Sequence, residues 1–338
     1  MKALPFSILL LILILSGCLA TSENKLNKSS EILQQDKNFM DVFVKGDSAY
    51  VTSNWGLYII NLSNEVKPEI IGKFKTPGQA EGIFVRDGIA YIADGLDGLV
   101  IVNVSNLSSP TVISNLSYSG NFKRVVVEGD IAYIGDFNPV DGLVVVNISD
   151  ARNPRVISSY NLPGYGHVRD FYINRHLIFL ADFTGGLKIL NKSLVTEKEN
   201  PLIANVPLNG VAYSVTTLGK YAVVACSDAG LALMDISNIS DPRVLSYKIV
   251  SQYAIKVRSY RNIIYVTTGN DGIISLKING NSLEELGRYN TGGNAFGFFI
   301  RKNRIYLADY NKGLIILNIS RPENIEEISD ITPRGEVY

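Results

Sequence analysis

The sequence is poor in the residues from which metal centres and disulfide frameworks are built. Its 338 residues include only 2 Cys, 2 His, 3 Met and 1 Trp. Two cysteines give no disulfide framework, and two histidines leave little room for a histidine-built metal centre. We therefore expect no bound metal and no cofactor.

Neither sign of charge is in excess, because 32 basic side chains balance 32 acidic ones. A chain with no net charge and 19% charged residues lacks the surplus of Lys and Arg that neutralises nucleic-acid phosphates. Its 46% hydrophobic content is ordinary for a folded protein and argues against a disordered charged chain. The composition predicts a globular protein with no nucleic-acid partner.

The N-terminus has the features of an export signal. An apolar run over residues 9–15 follows Lys2 and is shorter than the roughly 20 residues that a membrane span needs. The Leu-Ser-Gly before Cys18 resembles the lipobox of prokaryotic lipoproteins, in which the cysteine becomes the lipidated N-terminus. We expect residues 1–17 to be a signal peptide and residues 18–38 a lipidated, polar tether. A non-lipidated signal and an uncleaved anchor are the alternatives.

From residue 39 onward one pattern recurs seven times, at intervals of 41 to 46 residues. Each unit has an anchor residue, then a glycine, and Asn, Asp or Lys five positions after that glycine. Such fixed internal spacing predicts a repeat architecture. The anchors are Tyr50, Tyr91, Tyr133, Phe179, Val223, Tyr265 and Tyr306, and the glycines are Gly56, Gly98, Gly142, Gly186, Gly230, Gly272 and Gly313.

The second unit shows the strands inside one repeat. Its apolar runs, separated by turn residues, predict four strands at Ile83–Val85, Ile89–Ala93, Leu99–Val104 and Thr111–Leu116. The third run lacks polar alternation, so both of its faces should be buried. No segment has a convincing helical period. The sequence therefore predicts an all-β fold, a seven-bladed β-propeller of four-stranded antiparallel blades, over residues 39–338.

The repeats resemble the LVIVD repeat family, whose name is nearly spelled by residues 99–103, Leu-Val-Ile-Val-Asn. The resemblance covers about residues 42–330. It implies a propeller domain in extracytoplasmic or surface proteins of archaea and bacteria, without an agreed activity. The sixth unit departs most from the pattern, because Lys277 replaces the asparagine and no proline precedes its last strand.

Two segments compete for the outer strand of the last blade. Residues 325–331 follow the third strand of that blade at the family spacing, and residues 31–35 in the tether are the alternative closing strand. Both cannot occupy one edge. We favour the C-terminal segment.

Aspartate occupies one repeat position, directly after the second strand, in four of the seven units. A ring of carboxylates there would bind cations, but each aspartate is better explained as a cap that accepts backbone N–H groups of the local turn. The four residues are Asp94, Asp136, Asp182 and Asp309.

Charged and aromatic residues converge at the start of the first strand of each unit, which in a propeller lies nearest the central channel. The pairs are Met40-Asp41, Glu81-Gly82, Lys123-Arg124, Arg169-Asp170, Tyr213-Ser214, Ile255-Lys256 and Phe296-Gly297. Variable residues on a uniform scaffold are typical of a binding site, although a solvated rim over a filled channel would look the same. The candidate ligand-binding residues are Glu81, Lys123, Arg124, His167, Arg169, Asp170, Tyr213, Tyr253, Lys256 and Phe296.

Two classes of function fit these features, and we assign no catalytic residue. The favoured one is a lipid-anchored, monomeric module outside the cytoplasm, which binds an envelope or surface protein or a polysaccharide for adhesion or scaffolding. The alternative is an extracytoplasmic propeller hydrolase that acts on a lactone or glycan with Glu81, His167, Arg169 and Asp170. A propeller fold alone cannot choose between them.

Overall fold

The computed structural model describes residues 38–138, 140–161, 166–197, 199–250 and 252–333. The expected signal peptide, the lipidated Cys18, the tether up to residue 37 and the alternative closing strand at residues 31–35 lie outside the described residues. None of the helices within the described ranges has both the length and the apolar character that crossing a bilayer requires.

Within the described residues, seven antiparallel four-stranded sheets each consist of four consecutive strands. Blade 1 contains β1 (Phe39–Lys45), β2 (Ser48–Ser53), β3 (Gly56–Asn61) and β4 (Glu69–Lys75). Blade 2 contains β5 (Gly82–Arg86), β6 (Ile89–Ala93), β7 (Leu99–Asn103) and β8 (Thr111–Leu116). Blade 3 contains β9 (Phe122–Glu128), β10 (Ile131–Asp136), β11 (Leu143–Asn147) and β12 (Arg155–Tyr160).

The remaining blades follow the same order. Blade 4 contains β13 (Val168–Asn174), β14 (Leu177–Asp182), β15 (Gly186–Asn191) and β16 (Leu202–Val206). Blade 5 contains β17 (Ser214–Leu218), β18 (Tyr221–Ala225), β19 (Leu231–Asp235) and β20 (Arg243–Lys248). Blade 6 contains β21 (Val257–Tyr260), β22 (Ile263–Thr267), β23 (Ile273–Asn279) and β24 (Ser282–Tyr289). Blade 7 contains β25 (Ala295–Arg301), β26 (Arg304–Asp309), β27 (Gly313–Asn318) and β28 (Glu326–Ile331).

The predicted fold is therefore confirmed as a seven-bladed, all-β propeller. The first strands of neighbouring blades pack against one another around the channel. One short helix was not predicted, α1 (Lys192–Glu197), which lies between β15 and β16. Its Val195 is buried, and the carbonyl of that residue accepts a hydrogen bond from Ser158 Oγ of blade 3 at 2.6 Å. The helix therefore contributes to the contact between blade 3 and blade 4.

The third strand of blade 2 is buried on both faces, as its unbroken apolar run predicts. Val100 packs in a cluster with Ile59 of blade 1, whereas Ile101 packs in a cluster with Val125 of blade 3. Successive side chains of a strand point to opposite faces, so one strand contributes to the cores on both sides of its blade. The core is therefore a ring of seven clusters between sheets.

Within the described part of the chain, the ring closes by packing of blade 7 on blade 1, and each blade consists of four consecutive strands. Strand β28 pairs with β27 and supplies the outer edge of blade 7, so the C-terminal segment closes the last blade, as we favoured. Phe39 and Tyr58 of blade 1 share a core cluster with Tyr306 and Leu314 of blade 7. The Glu65 carboxylate adds a polar contact across the same junction, since Arg304 Nε donates to it at 2.9 Å.

The recurring glycine and asparagine both have local structural reasons. All seven repeat glycines have positive φ, and at Gly98, with φ of 87°, a Cβ would also lie 2.2 Å from the carbonyl oxygen of Leu116. The Asn103 side chain accepts the N–H of Ser105 at 2.9 Å, an Asx turn that recurs after the third strand of most blades. The sixth blade instead joins β23 to β24 by a tight turn at Gly280 and keeps its outer edge.

Candidate functional site

A cavity of about 60 Å³ lies at one end of the central channel, the channel mouth. Each of the seven blades contributes to its wall, because the first strand of every blade begins there. Of the fourteen positions that the repeat alignment placed at the mouth, all but Gly82 line it: Met40, Asp41, Glu81, Lys123, Arg124, Arg169, Asp170, Tyr213, Ser214, Ile255, Lys256, Phe296 and Gly297. The cavity has room for only a few water molecules.

The floor of the channel mouth is a buried ionic cluster of five residues: Asp41, Arg124, Asp170, Lys256 and Arg258. Asp41 accepts hydrogen bonds from Lys256 Nζ at 2.5 Å and from Arg124 at 3.0 Å. Asp170 binds both terminal nitrogens of Arg258, at 2.8 and 3.0 Å, and lies 3.3 Å from Arg124 Nε. The side chains are 6–18% exposed, and three cations face two carboxylates, a net charge of +1.

Burial and ion pairing set the protonation of this cluster. Burial alone would raise the pKa of Asp170, but Arg258, Arg124 and Lys256 hold it well below its usual range. Burial lowers the pKa of Lys256 to about 8, although the Asp41 carboxylate opposes that effect. At neutral pH the Asp170 carboxylate is therefore ionised, and the ion pairs of the cluster fill this part of the channel.

The far end of the channel has a different chemistry. A cavity of about 210 Å³ there is lined mainly by aromatic and aliphatic side chains, and the Phe43 ring is tilted against the rings of Phe84 and Phe299, with 5.0 Å between ring centres in both pairs. Arg124 and Lys256 line this cavity as well as the channel mouth. The ionic cluster therefore separates the two ends, and the channel is filled in its middle.

Above the cluster, the rim of the channel mouth carries one ion pair and one stacked arginine. Lys123 Nζ donates to Glu81 at 2.6 Å. The Arg169 guanidinium lies over the Tyr213 ring, 4.8 Å from its centre, and 5.9 Å from the centre of the Phe296 ring. Contacts of this kind use the flat face of the guanidinium, so the N–H groups at its edge stay available to a ligand.

A second cavity of about 250 Å³ adjoins the channel mouth over blades 5 to 7. It shares Arg169, Tyr213, Ile255 and Phe296 with the channel mouth and adds Tyr253, one of the predicted site residues. The rest of its lining is polar or small and was not predicted: Ser227, Gln252, Gly269, Asn270 and Asn294.

His167 lies beside these cavities, and neither cavity wall, as far as the described residues define it, includes this residue. Its ring packs against Phe137 at 4.9 Å and near Phe183, and its backbone N–H donates to Asp182 at 2.7 Å. The structure thus separates His167 from Glu81 and Asp170, with which the hydrolase hypothesis had grouped it.

Arg258 is the main residue of this region that sequence reasoning missed. It follows Lys256 by two positions at the start of β21, and strand periodicity of two residues turns both side chains toward the channel. That period was the available signal. The pair of blade 6 that the repeat alignment gives, Ile255-Lys256, ends two positions before Arg258.

The four repeat aspartates accept backbone N–H groups, as the preferred interpretation predicted, but mainly from the loop before the first strand and not from the turn that follows the second strand. Each carboxylate accepts the backbone N–H of the loop that leads into its own blade: Asp94 from Gly78 at 2.7 Å, Asp136 from Asn121 at 2.6 Å, Asp182 from His167 at 2.7 Å and Asp309 from Asn294 at 2.9 Å. Across the described parts of the chain, no group of three or more His, Cys, Asp or Glu side chains is placed to hold a metal ion.

Asp136 makes stability depend on pH in an unusual direction. Burial raises its pKa to about 6, above the value near 3.9 of an unfolded chain. The folded state then binds this proton more tightly, so the free energy of unfolding falls as pH rises from about 4 to 6 and changes little from this group above that range. As pH rises from 4 to 7, the free energy of unfolding of Asp136→Asn should fall by about 1–2 kcal/mol less than that of the unaltered chain, measured by urea unfolding. An unchanged slope would contradict the assignment.

Three comparisons place the chain among known proteins. A model of the family described as LVIVD repeat matches residues 37–76, 77–117, 119–162, 209–247 and 292–332, which correspond to blades 1, 2, 3, 5 and 7. No curated protein matches the chain.

Among solved structures, the computationally designed Ika8 protein aligns with a TM-score of 0.66 at 9% identity and covers 89% of each chain. The Saccharomyces cerevisiae protein Sqt1 aligns with a TM-score of 0.63 at 8% identity, over 87% of this chain and 85% of its own. At identities this low, the similarity is evidence for a shared fold only.

Proposed function

The chain belongs to the LVIVD repeat family, and on that premise we propose that it is a non-enzymatic binding module whose channel mouth contacts an envelope protein or polysaccharide. The observation that carries the proposal is the composition of the channel mouth. Seven blades with near-uniform strands bring together side chains that differ from blade to blade, including acids, bases and aromatics. Variable side chains on a rigid, repeated scaffold suit recognition of a partner.

The carboxylates of the channel mouth argue for binding over hydrolysis. General acid or base catalysis needs a group with a pKa near the working pH and access to substrate. Asp41 and Asp170 are locked in the ionic cluster, the pKa of Asp170 is held far too low for proton donation, and Glu81 is paired with Lys123. A hydrolase for a lactone or glycan would have to break these pairs before it could use them, so we rank this alternative second.

Membrane attachment through Cys18 is part of the same proposal. A lipidated N-terminus would hold the exported propeller at the cell surface or in the periplasm, with β1 beginning at Phe39 beside the channel mouth. The 21 residues from Cys18 to residue 38 span at most roughly 70 Å when extended, enough to keep the channel mouth clear of the bilayer. Acyl chains on one residue suffice for stable anchoring when there are two or more.

The anchor is tested by Cys18→Ser in the native host. We expect the variant to move from the membrane fraction to the soluble fraction almost completely, because the apolar anchoring energy is lost with the acyl chains. Fractionation followed by immunoblotting measures the change. Membrane association equal to that of the unaltered chain would mean that another feature anchors the protein.

Binding by the channel mouth is tested by co-sedimentation with native envelope fragments. The full chain in mild detergent is compared with the triple variant Glu81→Gln, Lys123→Gln, Arg169→Gln, which alters the rim and spares the ionic cluster. The matched control is Glu69→Gln, Lys67→Gln, Arg152→Gln, since Lys67 and Glu69 form an exposed pair on the outer edge of blade 1 and Arg152 is also exposed.

Both triple variants remove the same charges. We expect the rim variant to lose about tenfold or more in affinity, as for the loss of charged contacts to a partner, and the control to bind like the unaltered chain. Equal sedimentation of the two variants would exclude the channel mouth from recognition.

A further inference from the structure

The cavity over blades 5 to 7 lies beside a blade that lacks the repeat aspartate. In blades 2, 3, 4 and 7 an aspartate after the second strand accepts a hydrogen bond from a backbone N–H of the loop that leads into the blade. Thr268 stands at that position in blade 6, and its hydroxyl instead donates to Gly272 O at 3.2 Å. Among the described residues, no side chain accepts the backbone N–H of Gln252 or Tyr253 in the loop that leads into blade 6, and Thr267 Oγ1 accepts only the N–H of Lys256 at the end of that loop, at 3.1 Å.

The loop that leads into blade 6 carries an exposed aromatic side chain. The Tyr253 side chain is 51% exposed, one of few large apolar groups in the described chain that faces solvent to this extent. The neighbouring turn at Gly269 and Asn270 forms the opposite wall of the cavity. Blade 6 is one of three blades that lack the aspartate, and the cavity lies beside its loop.

The lining of this cavity has a specific chemistry. Gln252, Asn270 and Asn294 bring three primary amides, each of which both donates and accepts hydrogen bonds, and Tyr253 brings an aromatic face. Vicinal hydroxyl groups need such paired donors and acceptors, and a pyranose ring has an apolar face that packs on an aromatic ring. The volume of about 250 Å³ is below the roughly 300 Å³ at which sites for drug-sized ligands begin, so it suits a single sugar ring.

Arg169 supplies the charge at the inner wall. Every other cation of the channel mouth and ionic cluster has a carboxylate partner: Lys123 with Glu81, Arg124 and Lys256 with Asp41, and Arg258 with Asp170. Within the described residues, Arg169 has contacts with aromatic rings and no ion pair. Among the described residues that line the cavity it faces, none carries a carboxylate. We therefore expect the ligand to supply the anionic group that pairs with Arg169.

We propose that this cavity binds a carboxylated sugar residue of an envelope polysaccharide, with the carboxylate on Arg169, the ring on Tyr253 and the hydroxyls on the amides of Gln252, Asn270 and Asn294. This proposal rests on the proposed function and names its ligand class. The cavity is better suited to an acidic saccharide than to an acidic peptide, because three amides and an exposed aromatic ring line it together with the single cation.

The experiment uses the full chain in detergent and saturation-transfer NMR titrations. The probes are the methyl glycosides of glucuronic and galacturonic acid, the matched methyl glucoside and galactoside, and an aspartate-rich tetrapeptide. The variants are Arg169→Gln and Tyr253→Ala, and the control is Arg152→Gln, which removes an exposed arginine far from the cavity in sequence. Tyr253 and Arg152 are exposed, so neither change threatens the core.

We expect a uronide to bind at least about tenfold more tightly than its neutral counterpart, and Arg169→Gln to abolish that preference, since charge-assisted hydrogen bonds are lost. Tyr253→Ala should weaken both kinds of sugar, and Arg152→Gln should change nothing. Equal binding of neutral and acidic sugars, tighter binding of the peptide, or a uronide preference that survives Arg169→Gln would overturn the proposal. Envelope binding that persists without uronide binding would overturn this inference and leave the proposed function standing.

Discussion

Replacing Asp170 by leucine is expected to lower the free energy of unfolding by about 3–5 kcal/mol, the largest effect that we anticipate for a single residue at the channel mouth. The carboxylate neutralises Arg258 through two hydrogen bonds and lies beside Arg124, and Ser214 Oγ also donates to it at 2.5 Å. Without it, three cations would face Asp41 alone, and the net charge of the cluster would rise from +1 to +2 in a buried site.

A double variant separates lost pairing from lost packing. In Asp170→Leu with Arg258→Met the cluster keeps two cations and one carboxylate, so its net charge returns to +1. Replacement of a whole buried ion pair by apolar side chains is often close to neutral, so the double variant should recover more than half of the lost stability. Urea unfolding and melting temperature measure both. A single variant as stable as the unaltered chain, or a double variant worse than the sum of the single ones, would contradict the role given to the cluster.

Asp182→Asn is expected to cost a similar amount, about 3–5 kcal/mol, for a related reason in blade 4. Lys188 is completely buried, and its ammonium group donates to the Asp182 carboxylate and, at 3.3 Å, to the carbonyl of Gly185. Asparagine can still accept the N–H of His167, but it cannot neutralise the lysine. A buried ammonium without a counter-charge is strongly unfavourable.

The repeat provides a matched control for Asp182. Asp309 has the same repeat position and the same complete burial, and it also accepts a loop N–H, at 2.9 Å from Asn294. It has no buried lysine partner among the described residues, so Asp309→Asn should cost about 1 kcal/mol or less. Both variants are compared by urea unfolding at pH 7. Equal losses would show that the cap, and not the buried lysine, determines the cost.

The blades and the channel mouth were predictable because both follow from periodicity. Seven units of similar length fix where each first strand begins, and a closed ring brings those starting points together. The burial of residues 99–102 follows in the same way from their unbroken apolar run. Repeats convert sequence spacing directly into spatial position.

The pairing inside the channel was not predictable on the same grounds. Asp41 and Lys256 are 215 positions apart and meet only because the ring is closed, and which of several cations each carboxylate selects depends on side-chain geometry. The cavity over blades 5 to 7 was not predicted because half of its lining lies outside the positions on which the prediction of the channel mouth rested. These residues are Ser227, Gln252, Gly269, Asn270 and Asn294.

The most direct test of the account is to ask where on the propeller a native envelope partner makes contact. A photo-reactive phenylalanine analogue is placed at Tyr253 beside the channel mouth or at Val112 on the outer strand of blade 2, which are 51% and 57% exposed. After irradiation on native envelopes, the account predicts a high-mass adduct from position 253 and none from position 112. An adduct from position 112 alone, or equal adducts from both positions, would contradict the assignment of the channel mouth as the binding surface.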